Sequence, residues 1–397
     1  MRVVGGIYQE RCFLPRWDQI FGSAGRAACV ISAIFGHRPT LSGWYSKKGA
    51  SALAASFAPY GINLDIFLGR SHYVFAYAHP LSHPDCYLSG PPEKRTPKKI
   101  TDDVILLFGA IEGVPSIQAD KVILDPQGEN LFDILDKGII SANQIAIVAN
   151  EREIALGPAS SPAQNIRGIF AKHRQVATVV VKRGAFGATI FDRRGIERIP
   201  AYVSQRIFKI GSGDVFSAVF SYMWGKCEEG IIPSVDAASR SVACYVGDPY
   251  LNFKKADIGR VKPFIQRRKV AQIYLAAPFF SVADFLILAE ARRSLIELGA
   301  EVFSPFHHVG FGETKKIVAK DLRGLSNSRC VLALLETCDP GTLFEVGYAR
   351  AKGIPVIAVG SNNKESDITM LAGTNCIVES DFCTAAYKSI WTAFGAR

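Results

Sequence analysis

The chain has 397 residues, 48% hydrophobic and 21% charged, with a formal net charge of +10. That length accommodates two domains with separate cores, and the composition is that of an ordinary soluble globular enzyme. No stretch approaches ~18 uncharged apolar residues, so no membrane span is expected.

Met1-Arg-Val-Val-Gly-Gly reads as a first β-strand and not as a signal peptide. The nine cysteines are odd in number and scattered, with no Cys-x-x-Cys pair. They argue against a disulfide framework or a zinc site and for a reducing, cytoplasmic compartment. The positive charge suits anionic ligands such as nucleotides. Its short clusters, Lys98-Lys99 and Arg267-Arg268-Lys269, read as solvated faces and not as a nucleic-acid surface.

Along the chain, Val104-Ile-Leu-Leu-Phe108, Lys121-Val-Ile-Leu124, Ala146-Ile-Val-Ala149 and Ala177-Thr-Val-Val-Val181 are β-branched runs suited to buried strands. Thr189-Ile-Phe191 and Glu197-Arg-Ile-Pro200 flank Arg193-Arg-Gly195 as a hairpin. Between about 250 and 269 the apolar periodicity gives way to Lys, Arg, Gly and Pro. A second strand–helix series then starts at Gln272-Ile-Tyr-Leu-Ala276. It continues through a helix using Phe285, Leu288, Leu295 and Leu298, then Glu301-Val-Phe303, Cys330–335 and Ile354-Pro-Val-Ile-Ala358. Strands alternating with helices indicate a parallel sheet in each half. The expected division is 1–255, a linker at 256–270, and 271–397. His79 and His83, like His307 and His308, lack third and fourth ligands and read as loop histidines, so no metal site is expected from them.

Lys209-Ile-Gly211-Ser212-Gly213-Asp214 is a glycine turn opening a helix. Its backbone N–H groups can converge on an anion, and an Asp at that mouth can take a proton from an attacking hydroxyl. With Asn150-Glu-Arg-Glu153 and Val179-Val-Val-Lys182-Arg-Gly184-Ala-Phe-Gly187, residues 1–255 resemble the ribokinase (PfkB-type) family of sugar and nucleoside kinases. The resemblance implies a ribokinase-like α/β/α sandwich with ATP and Mg²⁺ as cofactors and Asp214 as catalytic base. Gly211, Ser212 and Gly213 would hold the phosphate, Asn150 and Glu153 would organise Mg²⁺, and Lys182, Gly184 and Gly187 would lie beside the nucleotide. Three departures stand out. Phe208-Lys209 replaces the family's Asp-Thr pair, Phe21-Gly22 and Arg26 replace its Gly-Gly and sugar-contacting Asn, and only Gln9 and Glu10 stand near its early Asp. Arg26 is expected to present a cation to an anionic ligand.

Asp339-Pro-Gly-Thr-Leu-Phe-Glu345-Val-Gly-Tyr-Ala follows a buried strand, with Gly341 relaxing the turn. Asp339 at the strand's end and Glu345 just inside a helix are thereby placed at the carboxyl end of a parallel sheet, where ligands bind. Together with Ile273-Tyr274-Leu-Ala-Ala-Pro278-Phe and Asp321 in Ala319-Lys-Asp-Leu-Arg, they resemble the nucleoside 2-deoxyribosyltransferase family. The resemblance implies a smaller flavodoxin-like or Rossmann-like domain that needs no cofactor. Glu345 would be the nucleophile that forms a glycosyl ester, with Tyr274 orienting it. Asp339 and Asp321 would contact the base, Asp339 being the better placed to deliver a proton. A second base as acceptor gives exchange; water gives hydrolysis. The loop Ser304-Pro-Phe-His-His-Val-Gly-Phe-Gly312 either faces a phosphate or forms a polar lid. In this family a neighbouring subunit often completes the pocket, so a homo-oligomer acting on small nucleosides, nucleotides or sugars is expected. The leading expectation is a bifunctional nucleoside or nucleotide enzyme. The alternative is a nucleotide N-glycohydrolase effector, of the phage-defence type, regulated by a degenerate kinase-like domain.

Overall fold

The computed structural model describes the chain except residues 94, 97, 311, 337, 338, 361–364, 396 and 397, and gives no side-chain description for 365–368. It folds as two α/β domains. One compact unit comprises 1–78, 83–204 and 208–263, and the other 79–82, 205–207 and 264–397. Around the segment expected as the linker, 256–270, Lys255–Ile258 is a helical turn, and Lys262–Pro263 pairs antiparallel with Tyr202–Val203.

The first domain is built on a nine-stranded sheet. In spatial order its strands are Ile196–Ile199, Ala188–Asp192, Val176–Lys182, Ile140–Asn150, Ser116–Asp125, Lys99–Phe108, Arg2–Val4, Thr40–Ser46 and Asn63–Gly69. The seven from Val176–Lys182 onward are parallel, and the first two close the hairpin. Ile105, Leu107, Val122, Leu124, Ile147 and Val179 form a core with Leu131, Ile134, Ile166 and Ile169 of the covering helices. Continuous apolar runs suit strands covered on both faces, as in an α/β/α sandwich. A separate four-stranded sheet orders Trp17–Ile20, Gln9–Cys12, His72–Tyr77 and Asp85–Ser89.

The second domain has five parallel strands in the order Glu301–Phe303, Gln272–Ala276, Cys330–Leu334, Val356–Val359 and Ile377–Glu379. In chain order this is 2-1-3-4-5, the flavodoxin-like arrangement. Its topological switch point, where ligands bind, lies between the first and third strands. Among the described residues no helix is long and apolar enough to cross a membrane. Cys12, Cys29, Cys86, Cys227, Cys244, Cys330 and Cys376 are free, and Cys338 lies outside the described residues.

Candidate active site

The switch point of the second domain gathers four expected residues. Tyr274 lies on the first strand and is fully buried. Its hydroxyl donates a 2.6 Å hydrogen bond to Oε1 of Glu345, in the Pro340–Ala351 helix. Asp339 caps that helix, its Oδ2 accepting from the Thr342 backbone N–H at 2.8 Å and from Thr342 Oγ1 at 3.1 Å. Gly341 sits inside the first helical turn and not in the turn before it, 3.0 Å from Asp339 Oδ2 when measured from the Cβ it lacks.

Asp321 comes from the Thr314–Asn327 helix. Its Oδ1 is buried with no hydrogen-bond partner, an arrangement that costs free energy unless a ligand or water completes it. One turn further on, Gly324 explains how the helix comes so close. A Cβ there would stand 2.3 Å from the ring of Phe303, which stacks on Tyr274 with centroids 5.5 Å apart.

Burial pushes the Glu345 carboxyl up to about 7; the Tyr274 hydrogen bond opposes the shift, while Asp321 and Asp339 add to it. Burial also raises Asp321. Tyr274 is raised by burial first and by Glu345 second, so it stays protonated and remains a donor. Near pH 7 the Glu345 carboxyl is therefore poised between its two forms, and burial shifts the Asp321 carboxyl in the same direction.

The Ser304–Gly312 segment is described except for residue 311. Ser304 is buried, with its Oγ 3.2 Å from His307 Nδ1 and its carbonyl oxygen 3.1 Å from His308 Nδ1. The two histidines belong to a helical turn, Pro305–His308, and not to an open loop. His79 pairs with Glu290 at 3.0 Å. Among the described residues no three His, Cys, Asp or Glu side chains are grouped to hold a metal ion.

In the first domain, Gly211 does open the Ser212–Phe220 helix, with a left-handed φ of 78°. The turn is nevertheless filled from within. Arg26 is fully buried and lies on Gly211, whose absent Cβ would stand 1.8 Å from Arg26 Nε. Its guanidinium donates to Asp214 Oδ2 at 3.3 Å, to the Tyr245 hydroxyl at 2.7 Å, and to Glu10. Arg26 was expected to offer a cation to a ligand; here two buried carboxylates already neutralise it. Burial pushes Asp214 up to about 6, with Arg26 opposing the shift.

Asn150 and Glu153 satisfy each other as a helix capping box, and Glu153 also accepts from the Gly128 N–H at 2.9 Å. Lys182 donates to Asp125 Oδ2 at 2.7 Å, and Ser217 donates to the same oxygen at 2.6 Å. Ser212 accepts from Lys209 at 2.6 Å. Gly213 lies beside Lys182, while Gly184 and Gly187 close the turn after the Val176–Lys182 strand. Sequence reasoning missed Asp125, Phe303, Gly324 and Tyr245. An Asp ending an apolar strand and a Gly inside an amphipathic helix were the available signals for two of them.

Residues 273–382 match the nucleoside 2-deoxyribosyltransferase family. Over the first two-thirds of the chain the fold is that of ribokinase-family kinases. A fructokinase double mutant from Vibrio cholerae O395, described as bound to fructose, ADP and a potassium ion, is 13% identical with a TM-score of 0.51, covering 66% of this chain and 98% of its own. Ribokinase from Thermotoga maritima is 14% identical, with a TM-score of 0.48 and coverage of 66% and 98%. The Burkholderia thailandensis nucleoside kinase, in complex with ADP and inosine, is 17% identical, with a TM-score of 0.47 and coverage of 65% and 93%. No curated protein matches the chain.

Proposed function

We propose that the second domain breaks the N-glycosidic bond of nucleosides or nucleotides through a covalent ester on Glu345. The ionised carboxylate attacks C1′ of the sugar, the C1′–N bond breaks, and its electron pair stays on the base nitrogen. A carboxylate suits this step because its charge opposes the cationic character developing at the sugar. Asp321 is the better proton donor to the leaving base: its Oδ1 is buried without a partner, whereas Asp339 spends an oxygen on its helix cap. This reverses the order expected from the sequence. Water or a second base then attacks C1′ and releases Glu345. The hydrogen bond from Tyr274 to Glu345 carries the proposal, since it leaves Oε2 as the oxygen for bonding to carbon.

For the first domain we favour a regulatory or scaffolding module over an active kinase. Arg26 lies on Gly211 and is paired with Asp214, so the candidate base is already engaged in a buried ion pair. The engaged side chains of Asn150 and Glu153 leave little to organise Mg²⁺. These residues do not fit phosphoryl transfer from ATP as they stand. A homo-oligomer is supported by exposed apolar side chains on the second domain, notably Phe280 and Val282, each 77% exposed, and Leu286 at 62%. The free cysteines suit a cytoplasmic location.

A panel of nucleosides, nucleoside monophosphates and NAD, incubated with the full chain with and without a second free base, tests this by chromatography of released and exchanged bases. Base release or exchange is expected for at least one member. A blank across the panel would remove the proposal.

A further inference from the structure

A cavity of about 280 Å³ lies in the first domain, lined by Arg174, Arg193, Arg194, Asp192, Gln175 and Ile231 among others. It sits at the amino ends of the Ile140–Asn150 and Val176–Lys182 strands. That is roughly 20 Å along the sheet from Asn150 and Lys182, given a rise of ~3.3 Å per residue.

Two independent features make this cavity attractive to anions. The first is the hairpin tip. Asp192 Oδ1 accepts from the Arg194 N–H at 2.7 Å and the Gly195 N–H at 3.0 Å, fixing a turn that carries Arg193 and Arg194. Arg193 is pinned by donating to the carbonyls of Phe170 at 3.2 Å and Arg174 at 3.4 Å, with its guanidinium over the Phe170 ring. A pinned guanidinium loses less freedom on binding a ligand. Arg174 is exposed at the same rim. The second is the Ile231–Gly247 helix, 17 residues long, whose first residue lines the cavity. Its N-cap, Gly230, supplies no side-chain cap, and the first turn carries no acid. The Ile231 and Ile232 amides and the positive end of the dipole are thus available to a negative charge, while Pro233 contributes no N–H.

Three guanidiniums against the single carboxylate of Asp192, itself tied to Arg194 at 3.3 Å, leave an excess of two positive charges. We propose that this cavity binds a small phosphate monoester or free phosphate as a dianion. Its volume lies just below the usual range for ligand sites, about 300–1,000 Å³, which favours a single-phosphate ligand over a nucleoside triphosphate.

Isothermal titration of the full chain with inorganic phosphate, and separately with a nucleoside monophosphate and a nucleoside triphosphate, tests the proposal. These runs are repeated with Arg174→Glu and Arg193→Met. Expected is saturable binding of phosphate or the monophosphate, weakened at least tenfold in Arg174→Glu. Tighter binding of the monophosphate would identify the ester as the ligand, and equal binding would identify phosphate itself. Arg174→Glu is exposed and separates loss of the site from misfolding, because its thermal unfolding should match the unmodified chain. No saturable binding at 10 mM by any probe, or unchanged affinity in Arg174→Glu, would overturn the proposal. So would preference for the triphosphate.

Discussion

The Tyr274 hydroxyl reaches from the first strand of the second domain to Oε1 of Glu345 at 2.6 Å, and the two residues are 71 positions apart in the chain. The contact joins a rigid, fully buried strand to the helix carrying the candidate nucleophile. It fixes which carboxylate oxygen is free and stabilises the ionised form. Removing it should therefore affect both rate and titration. In Tyr274→Phe, Glu345 should titrate above its present value of about 7. The rising limb of the kcat/KM–pH profile should move to higher pH, with kcat at pH 7 down about 10–100-fold. A profile that falls in height without moving would assign Tyr274 a packing role alone.

The same titration bears on stability. Glu345 has a folded pKa of about 7, above the ordinary 4.5, so folding favours its protonated form. Its contribution falls as pH rises from about 4.5 through 7, and the penalty is complete above that range. Glu345→Gln should consequently be inactive yet more stable than the unmodified chain, by about 1–3 kcal/mol at pH 8 and by little at pH 4. Denaturant melts at the two pH values check this; equal differences at both would contradict it.

Gly324 holds the Thr314–Asn327 helix against Phe303. Gly324→Ala should force the two apart, costing about 1–3 kcal/mol through overpacking. Base release should drop by more than the stability loss explains, because Asp321 moves with the helix. Activity measured well below the unfolding temperature separates the two effects. Full activity there would mean that the placement of Asp321 tolerates the shift.

In the first domain, Arg26→Met leaves Glu10 and Asp214 buried without their cation, and such a loss typically costs about 3–5 kcal/mol. Asp214→Asn, in contrast, should leave base release unchanged, and the unmodified chain should show no sugar- or nucleoside-dependent ATP turnover. Turnover that disappears in Asp214→Asn would restore the kinase reading.

Much of this molecule was legible because its buried strands are written as uninterrupted Val, Ile, Leu and Ala runs. Ala146–149 and Cys330–335 needed no tertiary information to be read as parallel strands. The site in the second domain was legible for a related reason: Asp339 and Glu345 are local in sequence, and a strand followed by a helix fixes where both must lie. The small sheet of Gln9–Cys12, Trp17–Ile20, His72–Tyr77 and Asp85–Ser89 was not, because its short strands form two hairpins joined only by the long-range pairing of Gln9–Cys12 with His72–Tyr77. Nor could sequence place the guanidinium of Arg26. Its partners Glu10, Asp214 and Tyr245 come from three distant segments, and only packing shows that a candidate ligand contact is an internal ion pair. The proposed preference for Asp321 over Asp339 turned on a local helix cap, whose formation only the structure shows, and on an orphaned oxygen, which is a tertiary fact.

The most direct test compares free-base release by the unmodified chain and by Glu345→Ala on the best substrate of the nucleoside panel. Loss of at least a thousandfold, with the variant still folded, is the expected result. Release by Glu345→Ala at the unmodified rate would remove Glu345 from the chemistry.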